Sequence, residues 1–277
     1  MKYSVLTSVY YKENPEYLKL SISSMLNQTI PTDDFVIVKD GPLTDKLETV
    51  LADFSEKHKN INIVNLAENV GLGAALNAGL IKCKNELVAR MDTDDIALEN
   101  RCEVQLAEFE KDKKLDIVGS FMYEFYDDPN TIETIKVVPI TQKEIYEFGK
   151  RRNPFNHPTV MYKKSTVMMN SGYAETRRGE DIDLFTRMLY NGCQARNIDK
   201  PLLKYRSNAD MFKRRKSLTD TKAYISVIIR SWKMGYSGVK DVFYAVIMQV
   251  GAMICPAFLG RWIYKKTFRK KYTRSDF

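Results

Sequence analysis

The chain has 277 residues, with 43 Lys+Arg against 35 Asp+Glu for a net charge of +8, 44% hydrophobic and 28% charged residues, 13 Gly and 9 Pro. That composition excludes a disordered chain, a collagen-like repeat and a polytopic membrane protein. The length suits one large α/β domain, or such a domain with a small appendage, and the positive balance leaves nucleic acid, a membrane surface or an anionic substrate open as partners.

The segment MKYSVLTSVYYKENP has an apolar stretch too short and too polar for a signal peptide, so the bulk of the chain is expected in the cytoplasm. Tyr3 to Val9 and Phe35 to Val38 are short β-rich runs suited to buried parallel strands. Between them Asn14 offers an N-cap and Pro15 a first helical residue, followed by Leu18, Ile22, Met25 and Leu26 on one face. The alternation continues with a helix at Leu43 to Lys57, a strand at Ile61 to Leu66, a helix at Gly73 to Lys82 and a strand at Leu87 to Met91. A helix at Leu98 to Glu110 and a strand at Asp116 to Phe121 complete it. Repeated β–α units predict a parallel sheet covered on both faces. Asp127-Asp128-Pro129-Asn130 reads as a turn before a strand at Thr131 to Val138. Then come a helix at Thr141 to Gly149, a strand at Thr159 to Lys163 and a helix from Glu180 to Asn191 that Gly192 closes. Cys83, Cys102, Cys193 and Cys255 are scattered, with no Cys-x-x-Cys, which argues for reduced thiols over a disulfide framework or zinc finger.

The charge is unevenly spread. From Lys200 onward there are 18 Lys+Arg and 4 Asp+Glu, a net of +14, which leaves −6 for residues 1–199. Within that tail Val242 to Gly260 is uncharged, interrupted by Gln249 and Pro256 and flanked by Lys240 and by Arg261, Lys265, Lys266, Arg269, Lys270 and Lys271. The pattern favours helices lying on or re-entering an anionic membrane surface, against a true span or a buried core helix, and turns the partner question away from nucleic acid. Lys213-Arg214-Arg215-Lys216 is either a solvated basic loop or a segment that meets a diphosphate.

In open parallel sheets ligands bind beyond the carboxyl ends of strands. Four such places are polar here: Thr7-Ser8-Val9-Tyr10, Lys39-Asp40-Gly41, Glu68-Asn69-Val70-Gly71-Leu72-Gly73 and Met91-Asp92-Thr93-Asp94-Asp95. Three carboxylates within four residues repel one another and are retained most readily around a cation, with Mg2+ or Mn2+ suited to such oxygens. The plainer alternative makes Asp95 the N-cap of the following helix. Gly71-Leu72-Gly73 is a weak dinucleotide fingerprint, since position 76 is leucine.

Read together, SVLTSVYYKENPEYLKLSISSMLNQT, VIVKDGP, ENVGLGAALNAGL, ARMDTDDI, NPFNHPTVMY, GEDIDLFTRM and KYRSN resemble the ordered motifs of family 2 glycosyltransferases over residues 3–210. The likeness is to the bacterial subgroup, typified by amylovoran-biosynthesis enzymes, that builds O-antigen, capsule and exopolysaccharide. It implies the GT-A fold, a Rossmann-like, mostly parallel sheet with flanking helices, over residues 1–210. A nucleotide-sugar half would cover 1–125 and an acceptor half 126–210, followed by a membrane-associating helical region at 211–277. The resemblance further implies an inverting enzyme at the cytoplasmic face of the inner membrane, moving a hexose from a nucleotide sugar, a UDP-sugar above all, to a lipid-linked or saccharide acceptor with Mn2+ or Mg2+.

Residue by residue, the resemblance places Thr7, Tyr10, Asp40, Asn69, Gly71, Asp92 and Arg206 around the nucleotide sugar. Asp40 would meet uracil, Asp92 the ribose, and Arg206, just beyond the last core strand, the pyrophosphate. Asp94 would ligate the metal, and Glu180 and Asp181 form the later acidic pair that supplies the base. Asp181 at a helix start is expected to stay ionised through the helix dipole. Lys39-Asp40 stands where two acids usually precede the glycine, which leaves the uracil contact intact and is expected to set the Lys39 cation beside the nucleotide. Gly73 and Asn77 stand where other small or basic residues are common. His157 is read either as a buried, hydrogen-bonded histidine or as an acceptor or donor contact, with metal ligation the least favoured. Two rivals are a sugar-phosphate nucleotidyltransferase, whose glycine-rich basic signature Thr7 to Lys12 lacks, and a non-enzymatic basic protein that binds membranes.

Overall fold

The computed structural model describes residues 1–207, 217–255 and 269–271. Its first half is the expected alternation: β1 (Tyr3–Val9), α1 (Pro15–Leu26), β2 (Asp34–Lys39), α2 (Asp45–Lys57), β3 (Ile61–Asn65), α3 (Leu72–Lys82) and β4 (Leu87–Arg90). Next come a two-residue strand β5 (Ile96–Ala97), α4 (Arg101–Lys111), β6 (Leu115–Phe125), β7 (Thr134–Lys136) and α5 (Gln142–Gly149). A single 3-10 turn, His157–Thr159, then leads to β8 (Met161–Lys163), α6 (Lys164–Met169), α7 (Glu180–Tyr190) and β9 (Gln194–Arg206). The tail contributes α8 (Leu218–Lys233), α9 (Val239–Ile254) and β10 (Arg269–Lys271).

Local chemistry accounts for the helix starts. The Asn14 side chain accepts from Glu16 N ahead of Pro15, and Thr141 and Glu144 form a reciprocal capping box that opens α5. α4 starts later than expected, at Arg101, because β5 occupies Ile96–Ala97 and pairs with β9.

Sheet order is β10-β7-β6-β8-β4-β1-β2-β3, with β9 beside β6 and β5. β3, β2, β1 and β4 are parallel. The expected parallel run then breaks, because β8 enters between β4 and β6 antiparallel to both. Alternation along the strands separates two core layers. Tyr3, Val5 and Val9 pack with Leu18, Ile22 and Met25 of α1 and with Cys102, Leu106 and Phe109 of α4. Leu6, Val36 and Val38 face Ala75, Leu76 and Leu80 of α3 and Leu184, Phe185 and Met188 of α7. The sheet's strand ends are thereby fixed between two rigid layers.

The tail docks at two places. α8 and α9 pack on the start of α7, where Val227, Ile228 and Ala245 surround Ile182. β10 adds antiparallel to β7, and the Arg269 Nε and Nη2 donate to the two Glu124 carboxylate oxygens in a buried ion pair. The uncharged run is thus helical from Val242 to Ile254, and no helix among the described residues is long and apolar enough to cross a membrane. Lys213-Arg214-Arg215-Lys216, Pro256–Gly260, Arg261, Lys265 and Lys266 lie outside the described residues.

Candidate active site

The site is built at the carboxyl ends of the parallel strands. After β2, Asp40 is buried and serves the next loop: its Oδ1 accepts from Val70 N at 2.7 Å, and its Oδ2 accepts from Asn69 Nδ2 at 3.0 Å and Gly71 N at 3.2 Å. That loop can turn because Gly71 has φ +90°. Asn69 and Tyr10 remain exposed beside this support. Thr7, in contrast, lies inside β1 with its hydroxyl buried and unbonded. Lys39 does not face the nucleotide side as a free cation: it pairs with Glu48 of α2 at 2.5 Å.

The acidic turn follows β4. Oxygens of Asp92, Asp94 and Asp95 lie within 4.8 Å of one another, a hard-oxygen donor set that suits Mg2+ or Mn2+. Asp92 is paired with Arg90 Nη2. Burial, with the Asp92 charge second, pushes the Asp94 carboxyl up to about 6. Asp95 is raised too, by burial and by both neighbours. The capping alternative for Asp95 is corrected: its Oδ1 accepts from Arg206 N at 2.8 Å, and Asn100 precedes the helix. Asp95 Oδ2 is buried without a partner.

Arg206 proves to be the last residue of β9 rather than a residue beyond it. Its guanidinium lies between Tyr17 and Phe125, with ring centroids 3.7 and 4.6 Å away, and its Nε donates to the Asp94 carbonyl at 3.0 Å. The side chain expected at the pyrophosphate thus organises the acidic turn.

The second acidic group opens α7. Gly179 at φ +87° starts the helix, Asp181 Oδ1 accepts from Ile182 N at 2.8 Å, and Asp181 Oδ2 accepts from Asn153 Nδ2 at 2.5 Å. Burial, with the Asp181 charge second, lifts Glu180 to about 7. Asp181 is also raised, so burial outweighs the helix-start stabilisation expected for it. Gly73 joins the two halves: a Cβ there would sit 2.6 Å from the Ala174 carbonyl and 3.3 Å from Glu180 Cβ, so only glycine lets α3 approach so closely. Asn77 seals the contact, donating to Tyr173 O and accepting from Tyr173 N, both at 2.8 Å.

His157 answers to its plainer reading. It is 9% exposed, its Nε2 lies 3.0 Å from Tyr173 Oη, and its ring packs on Phe185. Burial, then the nearby Arg90 charge, hold its pKa well below the usual value. The expected acceptor contact is therefore corrected to a core position behind Tyr173.

Sequence reasoning missed Arg90 and Asn153. Arg90 is 1% exposed, and its charge acts on Asp92, Asp94, Asp95, Glu180 and Asp181 together. It ends β4, whereas the residues that the sequence marks as ligand-facing follow their strands. A charged residue closing the apolar run Leu87-Val88-Ala89 was the available signal.

Residues 4–176 match the family model described as Glycosyl transferase family 2. The chain is 34% identical over 269 residues to the Escherichia coli UDP-Gal:alpha-D-GlcNAc-diphosphoundecaprenol beta-1,3-galactosyltransferase, covering 97% of each. It is 32% identical over 265 residues to the amylovoran biosynthesis glycosyltransferase AmsE of Erwinia amylovora, covering 95% of this chain and 98% of that one. Among solved structures, the mannosyltransferase PcManGT of Pyrobaculum calidifontis, in complex with GDP-Man and Mn2+, superposes with a TM-score of 0.67 at 13% identity, covering 91% of this chain and 72% of that one. That likeness concerns the fold, and it agrees with the GT-A architecture expected from the motifs.

Proposed function

Since this chain belongs to glycosyl transferase family 2, we propose that it is an inverting hexosyltransferase using a UDP-sugar donor and a lipid-linked saccharide acceptor. The product is a bacterial surface polysaccharide of the O-antigen, capsule or exopolysaccharide kind, assembled at the cytoplasmic face of the inner membrane. The name of the Escherichia coli relative, with its UDP-Gal donor and diphosphoundecaprenol acceptor, supports both substrate classes. The observation that carries the reading is the approach of α3 to Glu180 at Gly73, which joins the nucleotide-side loop to the second acidic group.

Tyr10, Asn69 and Gly71 cradle the nucleotide, with Asp40 fixing their loop and Thr7 packed beneath. Asp94, helped by Asp92, holds Mn2+ or Mg2+. The donor set fits, since the three clustered carboxylates include one raised to about 6 and another with a buried oxygen that has no hydrogen-bond partner. The bound cation supplies neutralisation of charge on the departing diphosphate. Arg206 keeps the acidic turn in shape through the Asp94 carbonyl and the Asp95 carboxylate. Glu180 and Asp181 titrate as a pair and take the acceptor hydroxyl proton, a task suited to a carboxylate lifted to about 7. Residues 1–210 form the transferase unit and residues 211–277 the membrane-associating one.

The test is a panel of labelled UDP-glucose, UDP-galactose, UDP-N-acetylhexosamine and UDP-rhamnose with a polyprenyl-diphosphate sugar acceptor. Transfer from at least one donor, dependent on Mn2+ or Mg2+, is expected. Full turnover in EDTA removes the metal role, and no turnover of any donor overturns the reading.

A further inference from the structure

Outside the site, the most unusual surface is on α9. Val239, Phe243, Ile247, Val250 and Ile254 follow one another at intervals of four, four, three and four residues and form one exposed stripe. Val239, Phe243 and Ile254 are 67%, 67% and 73% exposed. The opposite side of the helix is accounted for, because Ala245 and Val242 pack with Val227, Ile228 and Ile182. A helix that is apolar on both sides needs a second apolar neighbour.

Charge points to that neighbour. Asp220 and Asp241 are the acids of residues 217–255, and each is paired with an arginine of the catalytic domain: Asp220 with Arg177 and Asp241 with Arg151. Arg230 is held by Asp183. Lys222, Lys233 and Lys240 are exposed and have no ion-pair partner among the described residues. The surface of α8 and α9 therefore combines an apolar stripe with exposed lysines that have no acidic partner among the described residues, the combination that adheres to anionic lipid.

We propose that the Val239–Phe243–Ile247–Val250–Ile254 stripe is a membrane-contact face that lies on an anionic bilayer. It also sets the orientation of the site. Ile182, held between α8 and α9, directly follows Asp181, so the packing that supports the stripe fixes the Glu180–Asp181 pair relative to the bilayer. That this brings the pair to a lipid-linked acceptor rests on the glycosyl-transfer reading; the membrane contact itself does not.

Co-sedimentation with vesicles tests it, using phosphatidylcholine alone and phosphatidylcholine containing about 30% phosphatidylglycerol. The full chain is expected to sediment with the anionic vesicles and weakly with the neutral ones. Phe243→Ser with Ile247→Ser should lower the partition coefficient by about tenfold or more. Phe243→Asp alone should act in the same direction, and an unchanged far-UV spectrum would show that both variants are folded. Equal binding by wild type and variants overturns the proposal, as does wild-type protein that ignores both vesicles. A dimer on size exclusion that Phe243→Ser with Ile247→Ser turns into a monomer, without vesicle binding by the wild type, assigns the face to a second copy and overturns it as well. Donor turnover by the wild type in vesicle-free buffer is read separately. Binding without turnover supports the membrane face while overturning the transferase reading, and turnover without binding does the reverse.

Discussion

The guanidinium of Arg90 donates to the Asp92 carboxylate while its Nε and Nη1 stay buried without a hydrogen-bond partner. One cation set below the floor of the site serves the acidic turn after β4 directly and the acidic pair of α7 through its field. Glu180 and Asp181 are both pulled down by it, although burial still leaves them raised.

Arg90→Gln should therefore act on catalysis and stability together. Losing the charge-assisted hydrogen bond from the buried guanidinium to the partly exposed Asp92 carboxylate should cost about 1.5–3 kcal/mol, read as a lower urea midpoint. The acid limb of the kcat/KM profile should move to higher pH, because Glu180 and Asp181 lose a nearby positive charge. Arg90→Lys should recover part of the profile shift. A profile that does not move in Arg90→Gln would reduce Arg90 to a packing role.

The raised Glu180 has a defined sign in pH-dependent stability. Its folded pKa of about 7 lies above the ordinary 4.5, so the folded state binds the proton more tightly than the unfolded chain. Its contribution to stability is then greatest at low pH and falls as pH rises from about 4.5 through about 7. Melting temperature between pH 5 and pH 8 should decline more steeply in wild type than in Glu180→Gln. Activity runs the other way, since a base must be deprotonated: kcat/KM should climb about tenfold per pH unit below the pair's apparent pKa and then level off. Glu180→Gln should lower kcat by about 10²–10⁴.

Asp40→Ala removes the acceptor of Val70 N, Gly71 N and the Asn69 amide at once. The stranded donors should cost about 1–3 kcal/mol. Because Asn69 and Gly71 belong to the loop assigned to the nucleotide, KM for the donor should rise more than kcat falls. Steady-state kinetics at varied UDP-sugar separates the two.

Arg269→Ala should destabilise the protein by about 3 kcal/mol, since it removes the guanidinium that donates to both oxygens of the buried Glu124 carboxylate. Burial pushes the Glu124 carboxyl up, yet the two Arg269 hydrogen bonds prevail and hold it down at about 2. A depressed folded pKa gives stability that is present above the ordinary 4.5 and lost as pH falls through about 2. Urea midpoints at pH 7 and pH 3 should differ less in Arg269→Ala than in wild type.

The regular half of the fold was legible because its signals are local. Asn14 and Pro15 mark a helix start on their own, and the Leu18–Ile22–Met25 face needs no knowledge of its partner. β9 hid behind its composition: Asp199, Lys200, Pro201 and Lys204 interrupt any alternation, and its ladder with β6 shifts register three times. β10 carries no local strand signal at all, since three basic residues become a strand only by meeting β7 from far along the chain. The acidic turn and the Glu180–Asp181 pair could be located in the sequence, but their protonation could not. Helix-start stabilisation is visible in a sequence, whereas the burial that overrides it at Asp181 arises from packing. Asn153 likewise becomes recognisable only when its amide is seen to meet Asp181.

The anchoring of the tail at both ends has a practical corollary. α8 and α9 clasp Ile182, and Arg269 is locked onto Glu124, so the C-terminal region is a working part of the catalytic domain's architecture. A truncation made to improve solubility would strip the cover from the start of α7 and leave β7 as an open edge. Loss of turnover in such a shortened protein would record damage to the scaffold as much as loss of a lipid anchor, and heat should melt tail and domain in one cooperative step.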